Sequence, residues 1–123
     1  MITVIGSINL DLIGNVERLP RPGETVSGSA FKTAPGGKGA NQALAAARAG
    51  APVRMIGSVG KDSFATDALA LLKSGGVDLS SVHESHASTG TALIMVEDAG
   101  ENVIAVIPGA NAAVQPGDFA RME

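Results

Sequence analysis

The sequence predicts an α/β fold: an open sheet with helices packed on it and a smaller β layer beside it. Three observations carry this expectation. First, β-branched runs at Ile2–Ile5 and Val53–Val59 alternate with helix-period segments that start near Lys38 and near Asp62, the order of parallel βαβ units. Second, Thr91–Val96 and Val103–Ile107 are β-rich runs joined by "EDAGEN" at 97–102, which reads as a hairpin. Third, 45% hydrophobic and 17% charged residues in a chain of 123 fit a globular domain rather than a disordered one.

Each element follows from local signals. Ile2–Ile5 reads as a short buried strand ending at Gly6. Leu10–Leu19 alternates loosely and ends in Pro20-Arg21-Pro22-Gly23, a strong turn signal, and Thr25–Phe31 reads as a second peripheral strand. From Lys38 the period becomes helical, with Ala40, Leu44 and Ala47 on one face; Gly50 stops the helix and Pro52 follows. Val53–Val59 is the next strand, with Gly57 inside it and Gly60 after it. Asp62 or Ser63 then caps a helix through Phe64, Ala68, Leu71 and Leu72, ending at Gly75-Gly76. A last helix could open at Pro116 or Gly117. No internal repeat or low-complexity linker interrupts this order.

Composition excludes several functions. A net charge of -3 leaves no basic footprint for nucleic acid. The absence of cysteine removes disulfides, thiolate chemistry and Cys-ligated zinc, and fits a cytoplasmic location. The start MITVIGSINLDLIG lacks the basic region of a signal peptide, and no apolar run approaches the ~20 residues of a membrane span. No Trp or Tyr and only 3 Phe are present, so aliphatic side chains must fill the core. His83, Glu84 and His86 fall in "HESHAS", read as a solvated loop in preference to a metal site. Lys61-Asp62 reads as a turn and cap, and "EDAGE" as a hairpin tip.

The chemistry-bearing stretch is "APGGKGANQALAAARAG" at 34–50. It is not a P-loop, because Gly39 follows Lys38 where a hydroxyl should stand and Lys32 occupies the place of the first glycine. It is not a dinucleotide fingerprint either, because Gln42 replaces the third glycine. Gly36 and Gly37 still allow close backbone approach, and the helix start behind them offers N–H groups and a positive dipole end. Lys38 adds a charge and Asn41 an amide, a set that holds hydroxyls and oxyanions alike. A tight strand–helix connection with a solvated Lys38 is the equal alternative on local pattern. Asn9 and Asp11, in "GSINLD" at 6–11, lie beyond the end of the first strand, where open α/β sheets bind ligands. Two apart, they point the same way in extended chain. Asp11 suits adjacent sugar hydroxyls; an Asx-turn or cap is the simpler reading of the pair taken alone.

Taken together these segments resemble the ribokinase-like members of the PfkB family of carbohydrate kinases. The resemblance rests on "GSINLD" at 6–11, "RPGETVSG" at 21–28, "GGKGANQALAAARAG" at 36–50 and "GSVGKD" at 57–62. It continues through "GVDLSSV" at 76–82, "STGTALIMVEDAGENVI" at 88–104 and "PGAN" at 108–111. One departure is Ala65, where relatives often carry Gly, a matter of helix packing.

The resemblance implies a ribokinase-like Rossmann-type open sheet with a small β lid formed from strands within 10–33 and 91–107. Residues 1–123 would be the N-terminal part of the domain. It implies ATP-dependent phosphorylation of a pentose, D-ribose to ribose 5-phosphate, or of another sugar or a nucleoside; an inactive sugar-binding fragment is the remaining alternative. Asn9 and Asp11 would take ring hydroxyls, Gly36, Gly37, Lys38 and Asn41 the others, and Ala92, Ile94 and Val106 would face the sugar from the lid. ATP, Mg2+ and a monovalent cation such as K+ would be bound elsewhere. The catalytic Asp, in a Gly-Ala-Gly-Asp signature, is expected outside residues 1–123, so no catalytic residue is assigned here. A homodimer through the lid is implied as well.

Overall fold

The computed structural model describes residues 1–119. In chain order it contains β1 (Ile2–Ile5), β2 (Asn9–Val16), β3 (Gly28–Gly36), α1 (Lys38–Arg48), β4 (Val53–Gly60), α2 (Ser63–Ser74), β5 (Val82–Ser85), β6 (Gly90–Glu97) and β7 (Asn102–Ile107). Two 3-10 turns follow, at Gly109–Ala113 and Pro116–Phe119. The turn at 116–119 lies where the sequence opens a helix, and the rest of that expected helix lies outside the described residues.

Two sheets divide the strands. The first has the order β1-β4-β5 and is wholly parallel, with Ile2 opposite Val53 and Gly57 opposite Val82. The second has the order β3-β2-β6-β7; β2 and β6 run parallel, the outer pairs antiparallel. The core is aliphatic. Ile8, from the passage between the sheets, and Leu10 of β2 join Val53, Met55 and Val59 of β4, Ala40 and Ala43 of α1, and Ala65, Ala68 and Leu72 of α2. Small residues on the packed faces of both helices bring their backbones close to the sheet, which is how a core without Trp or Tyr closes.

α2 begins at its Asp62 cap and α1 directly after Gly37, without a side-chain cap, but the buried faces of both helices differ from the expected ones. On α1 the buried residues are Gly39, Ala40 and Ala43, while Leu44 and Ala47 pack only partly against the core. On α2 they are Ala65, Ala68 and Leu72; Phe64 and Leu71 are left 37% and 38% exposed. The stripe is therefore rotated one position from the bulky residues. Ala65 sits on the packed side, where only a small side chain fits between helix and sheet.

Two strands exceed expectation. β5 occupies the first part of the segment read as a solvated loop: His83 and Glu84 are exposed on an edge strand whose one neighbour is β4, so no apolar alternation marks it. β3 begins later than Thr25 and runs on to Gly36. Pro35 is tolerated because β3 is the outer strand of its sheet, where a missing N–H costs no ladder bond.

The turn between β4 and α2 ties the two sheets together. Asp62 caps α2 by accepting from Ala65 N–H at 3.0 Å, and also accepts from the backbone N–H and hydroxyl of Thr89 at 2.9 and 2.6 Å. Thr89 is buried, and its hydroxyl oxygen in turn accepts from Gly60 N–H at 2.9 Å. The Thr89 hydroxyl, before the backbone N–H groups, holds the Asp62 carboxyl below its ordinary 3.8. A depressed folded-state value means that the ionised group stabilises the fold above about pH 3.8 and that this contribution is lost as pH falls through the lower value. Asp62→Asn keeps the cap but turns an NH2 toward the Thr89 N–H. It should cost about 1 kcal/mol at neutral pH, with the difference from wild type vanishing in acid, as read by urea melts across pH 2–7.

Candidate functional site

The two sheets meet along one end of β2, and a cleft of about 370 Å3 opens there, lined by Ser7, Asn9, Gly37, Lys38, Asn41, Val106, Pro108 and Asn111. Its floor is built by the chain's crossings between sheets. Gly37 adopts φ +95°, a conformation that favours glycine, and a Cβ there would lie 2.6 Å from the Ser7 carbonyl oxygen. This turn ends β3 and starts α1 in a single residue, so Lys38 and Asn41 project from the first turn of α1 beside Asn9. Ala40 N–H donates to the Ser7 carbonyl at 3.0 Å, so one of the free N–H groups expected at this helix start is taken.

Asp11 stands two residues beyond Asn9 on the same face of β2. Its cross-strand neighbours are Ala34 of β3 and Ala92 of β6, and Ala92 is paired with Val106 of β7. Asp11, Ala92 and Val106 thus form one row above the cleft, and Ile94 lies in the next row, with Ile13 and Ile104. The Asp11 carboxylate lies against Gly36: a Cβ at Gly36 would be 2.5 Å from its Oδ1. Burial raises the Asp11 carboxyl above its ordinary value. Lys38 is exposed and makes no ion pair among the described residues.

The structure therefore gathers Asn9, Gly37, Lys38, Asn41 and Val106 around one cavity. Asp11, Gly36 and Ala92 adjoin them directly, and Ile94 stands one row farther out. Ser7, Pro108 and Asn111 also line the cleft; they lie within "GSINLD" and "PGAN", but the sequence assigns none of them to the site. Asn111 is the most connected of them: its side-chain oxygen accepts from Ile8 N–H at 2.9 Å, and its NH2 donates to the Ile8 carbonyl at 3.2 Å and to Asn9 Oδ1 at 2.7 Å. The "PGAN" motif was visible, but its partner lies 102 residues earlier. His83 and His86 take no part; His83 Nε2 lies 3.6 Å from Asp118, and no group of three metal-ligating side chains exists among the described residues.

A larger groove, about 590 Å3, lies chiefly on the opposite face of the second sheet, lined by Leu12, Phe31, Leu93, Met95 and Val103 and bordered by Ile94 and Ile104, so Ile94 touches this groove and not the polar cleft. It offers no polar side chain to orient a polar ligand, so the smaller, polar cleft is the candidate site.

Comparison with known proteins defines the class to which this fold belongs. Residues 1–121 match the model of the pfkB family carbohydrate kinase. The chain belongs to that family. It is 47% identical over 116 residues to a ribokinase of Bacillus subtilis, covering 94% of this chain and 39% of the relative. It is 42% identical over 121 residues to a deoxyribokinase of Salmonella typhi, covering 98% of this chain and 40% of the relative. A solved ribokinase of Arabidopsis thaliana, complexed with ribose and ATP, superposes with a TM-score of 0.83 at 37% identity, over 89% of this chain and 36% of that one. The chain thus spans about 40% of the length of the curated relatives it matches.

Proposed function

We propose that this chain carries the pentose-binding half of an ATP-dependent sugar kinase that converts D-ribose to ribose 5-phosphate. The observation that carries the reading is the placement of Asn9 and Asp11 on one face of β2, opposite Gly37, Lys38 and Asn41 at the start of α1. That set combines a charged acceptor, two amides and an ammonium, which suits a ligand dense in hydroxyls. Asp11 accepts from ring hydroxyls; Asn9, Lys38 and Asn41 bond the others; Gly36 and Gly37 let the backbone approach. Ala92, Ile94 and Val106 cover the sugar from the second sheet, which serves as the lid.

Phosphoryl transfer depends on positioning and charge stabilisation. This chain's share is positioning: it holds the pentose with its reacting hydroxyl directed at the γ-phosphate. ATP supplies the phosphoryl group, and Mg2+ and a monovalent cation such as K+ assist the complete enzyme. We assign none of these to a residue of this chain, and no catalytic residue either. A cytoplasmic location is in keeping with a cysteine-free chain; among the described residues no helix is long and apolar enough to cross a membrane. The 42% identity to a deoxyribokinase favours one alternative substrate, 2-deoxy-D-ribose.

The test is a protein carrying this chain together with an ATP-binding half, assayed for ADP release on a sugar panel. D-ribose-dependent turnover is expected, and turnover indifferent to every pentose would refute the reading. Residues 1–123 expressed by themselves should bind D-ribose in calorimetry without releasing ADP from ATP; sugar-dependent ADP release would place catalysis in this chain after all.

The apolar face of the lid fits a second copy of the chain. Phe31 is 69% exposed and Leu93 45%, and Leu12, Met95 and Val103 lie beside them. The register sets all of them on the face opposite Asp11 and Ala92. An apolar patch of this kind on a sheet with open edges invites association. We expect a dimer at micromolar concentration by light scattering and a monomer for Leu93→Lys; a monomeric wild type would exclude the lid contact.

A further inference from the structure

We infer that Asn111 is a positioning residue that orients the Asn9 side-chain amide, so that the cleft receives the Asn9 NH2 group and not its carbonyl oxygen. The identity of the ligand rests on the sugar-binding reading above; the orientation rests on hydrogen bonds alone. The backbone N–H of Ile8 can only donate, and it meets the Asn111 side chain at 2.9 Å. The Asn111 atom at that position must therefore be Oδ1, which settles the amide's two ends. Its NH2 then faces the Ile8 carbonyl at 3.2 Å and the Asn9 side chain at 2.7 Å. A donor at that distance requires an acceptor, so Asn9 presents Oδ1 to Asn111. Asn9 Nδ2 is left with no partner among the described residues, on a side chain that lines the cleft.

Gly90 makes the arrangement possible. It lies opposite Asn9 in the β2–β6 ladder, and a Cβ there would overlap both Asn111 Nδ2 and Asn9 Oδ1. The three residues form one lock, contributed by β2, β6 and the turn after β7.

The lock gives the cleft a definite polarity. Asn9 offers only donors and Asp11, two residues on, only acceptors when ionised. Adjacent hydroxyls answer such a pair: one oxygen accepts from Asn9 while its neighbour donates to Asp11. The class of ligand selected along β2 is therefore a vicinal diol, and a ligand with a single hydroxyl there satisfies one of the two groups.

The experiment is side-chain amide exchange by NMR on the 15N-labelled full chain, followed by D-ribose titration. Without sugar, the Asn111 NH2 should be protected and the Asn9 NH2 should exchange as a solvent-facing amide; the reverse pattern, or both amides equally exposed, would overturn the assignment. Added D-ribose should protect the Asn9 NH2. If the sugar-free pattern is present but D-ribose changes nothing, the sugar reading fails and the amide orientation stands. Asn111→Asp, which places an acceptor against Asn9 Oδ1, should lower D-ribose affinity about tenfold in wild type. It should have no further effect in an Asn9→Ala background, because Asn111 acts through Asn9. Equal losses in both backgrounds would mean that Asn111 supports the fold generally and would overturn the proposal. Should Asn111→Asp fail to fold, the amide pattern of the wild type still decides.

Discussion

Gly39→Ala should destabilise this protein by about 2 kcal/mol, although the same change inside an ordinary helix stabilises by about 1 kcal/mol. The sign reverses because of what Gly39 faces. A Cβ there would lie 2.8 Å from Gly6 Cα, Gly6 C and Ser7 N, all backbone atoms, and a Cβ on Gly6 would in turn lie 3.0 Å from Gly39 Cα. Two glycines thus meet where the passage from β1 to β2 crosses the first turn of α1, and neither backbone can yield as a flexible side chain would. Overpacking of this kind costs about 1–3 kcal/mol or more, and it also strains the Ala40 N–H bond to Ser7, which contributes about 1 kcal/mol. At about 4–8 °C per kcal/mol for a small domain, the melting temperature should fall by about 10 °C. Gln42→Ala, on the exposed side of the same helix, should stay within about 0.5 kcal/mol. A higher melting temperature for Gly39→Ala would refute the close contact.

Asp11→Asn should weaken D-ribose binding about tenfold to a hundredfold, since hydrogen bonds to a charged group contribute about 1.5–3 kcal/mol. In the complete kinase, ATP binding should change far less. Stability should move the other way or not at all. Burial raises the Asp11 carboxyl above its unfolded-state value, so the ionised form opposes folding above that unfolded value and the protonated form relieves the cost as pH falls. Removing the charge therefore should not lower the melting temperature. The same titration makes wild-type D-ribose affinity fall as the solution is acidified through the raised value, a slope that Asp11→Asn should lack. Gly36→Ala offers an independent check, because its Cβ would displace the carboxylate without altering its charge. Calorimetry showing unchanged D-ribose affinity in both variants would remove Asp11 from the site.

The order of strands and helices was legible because it is written locally. Lys38 to Arg48 and Ser63 to Ser74 carry their own period, a side-chain cap at Asp62 and glycines past their ends. What escaped is what neighbours decide. Phe64 and Leu71 look like core residues by size, yet Ala65, Ala68 and Leu72 are buried, because the room left between helix and sheet selects small side chains. His83 and Glu84 carry no strand pattern, since β5 borrows its geometry from β4 along an edge. The cleft was half legible for the same reason. Asn9, Gly37, Lys38 and Asn41 belong to short motifs that announce a ligand; Asn111 becomes part of the cleft only when the chain returns more than a hundred residues later.

All four strands of the second sheet reach the first at the same end. Asn9, Gly36 and Gly90 share one cross-strand row, and Ile107 stands in the next. Mechanically this is a cantilever held at its root, with glycine at two of the attachment points. With a rise of about 3.3 Å per residue, Asp11 sits about 7 Å from the root and Val16 about 23 Å. A rotation of about 10° at the root would shift Asp11 by about 1 Å and the tip by about 4 Å, with the spacing of Asp11, Ala92 and Val106 preserved because they share a ladder row. The same lever reads in reverse: a partner gripping the far end of this sheet acts on Asp11 at roughly a third of its own displacement, which turns a loose grip into a fine adjustment of the cleft.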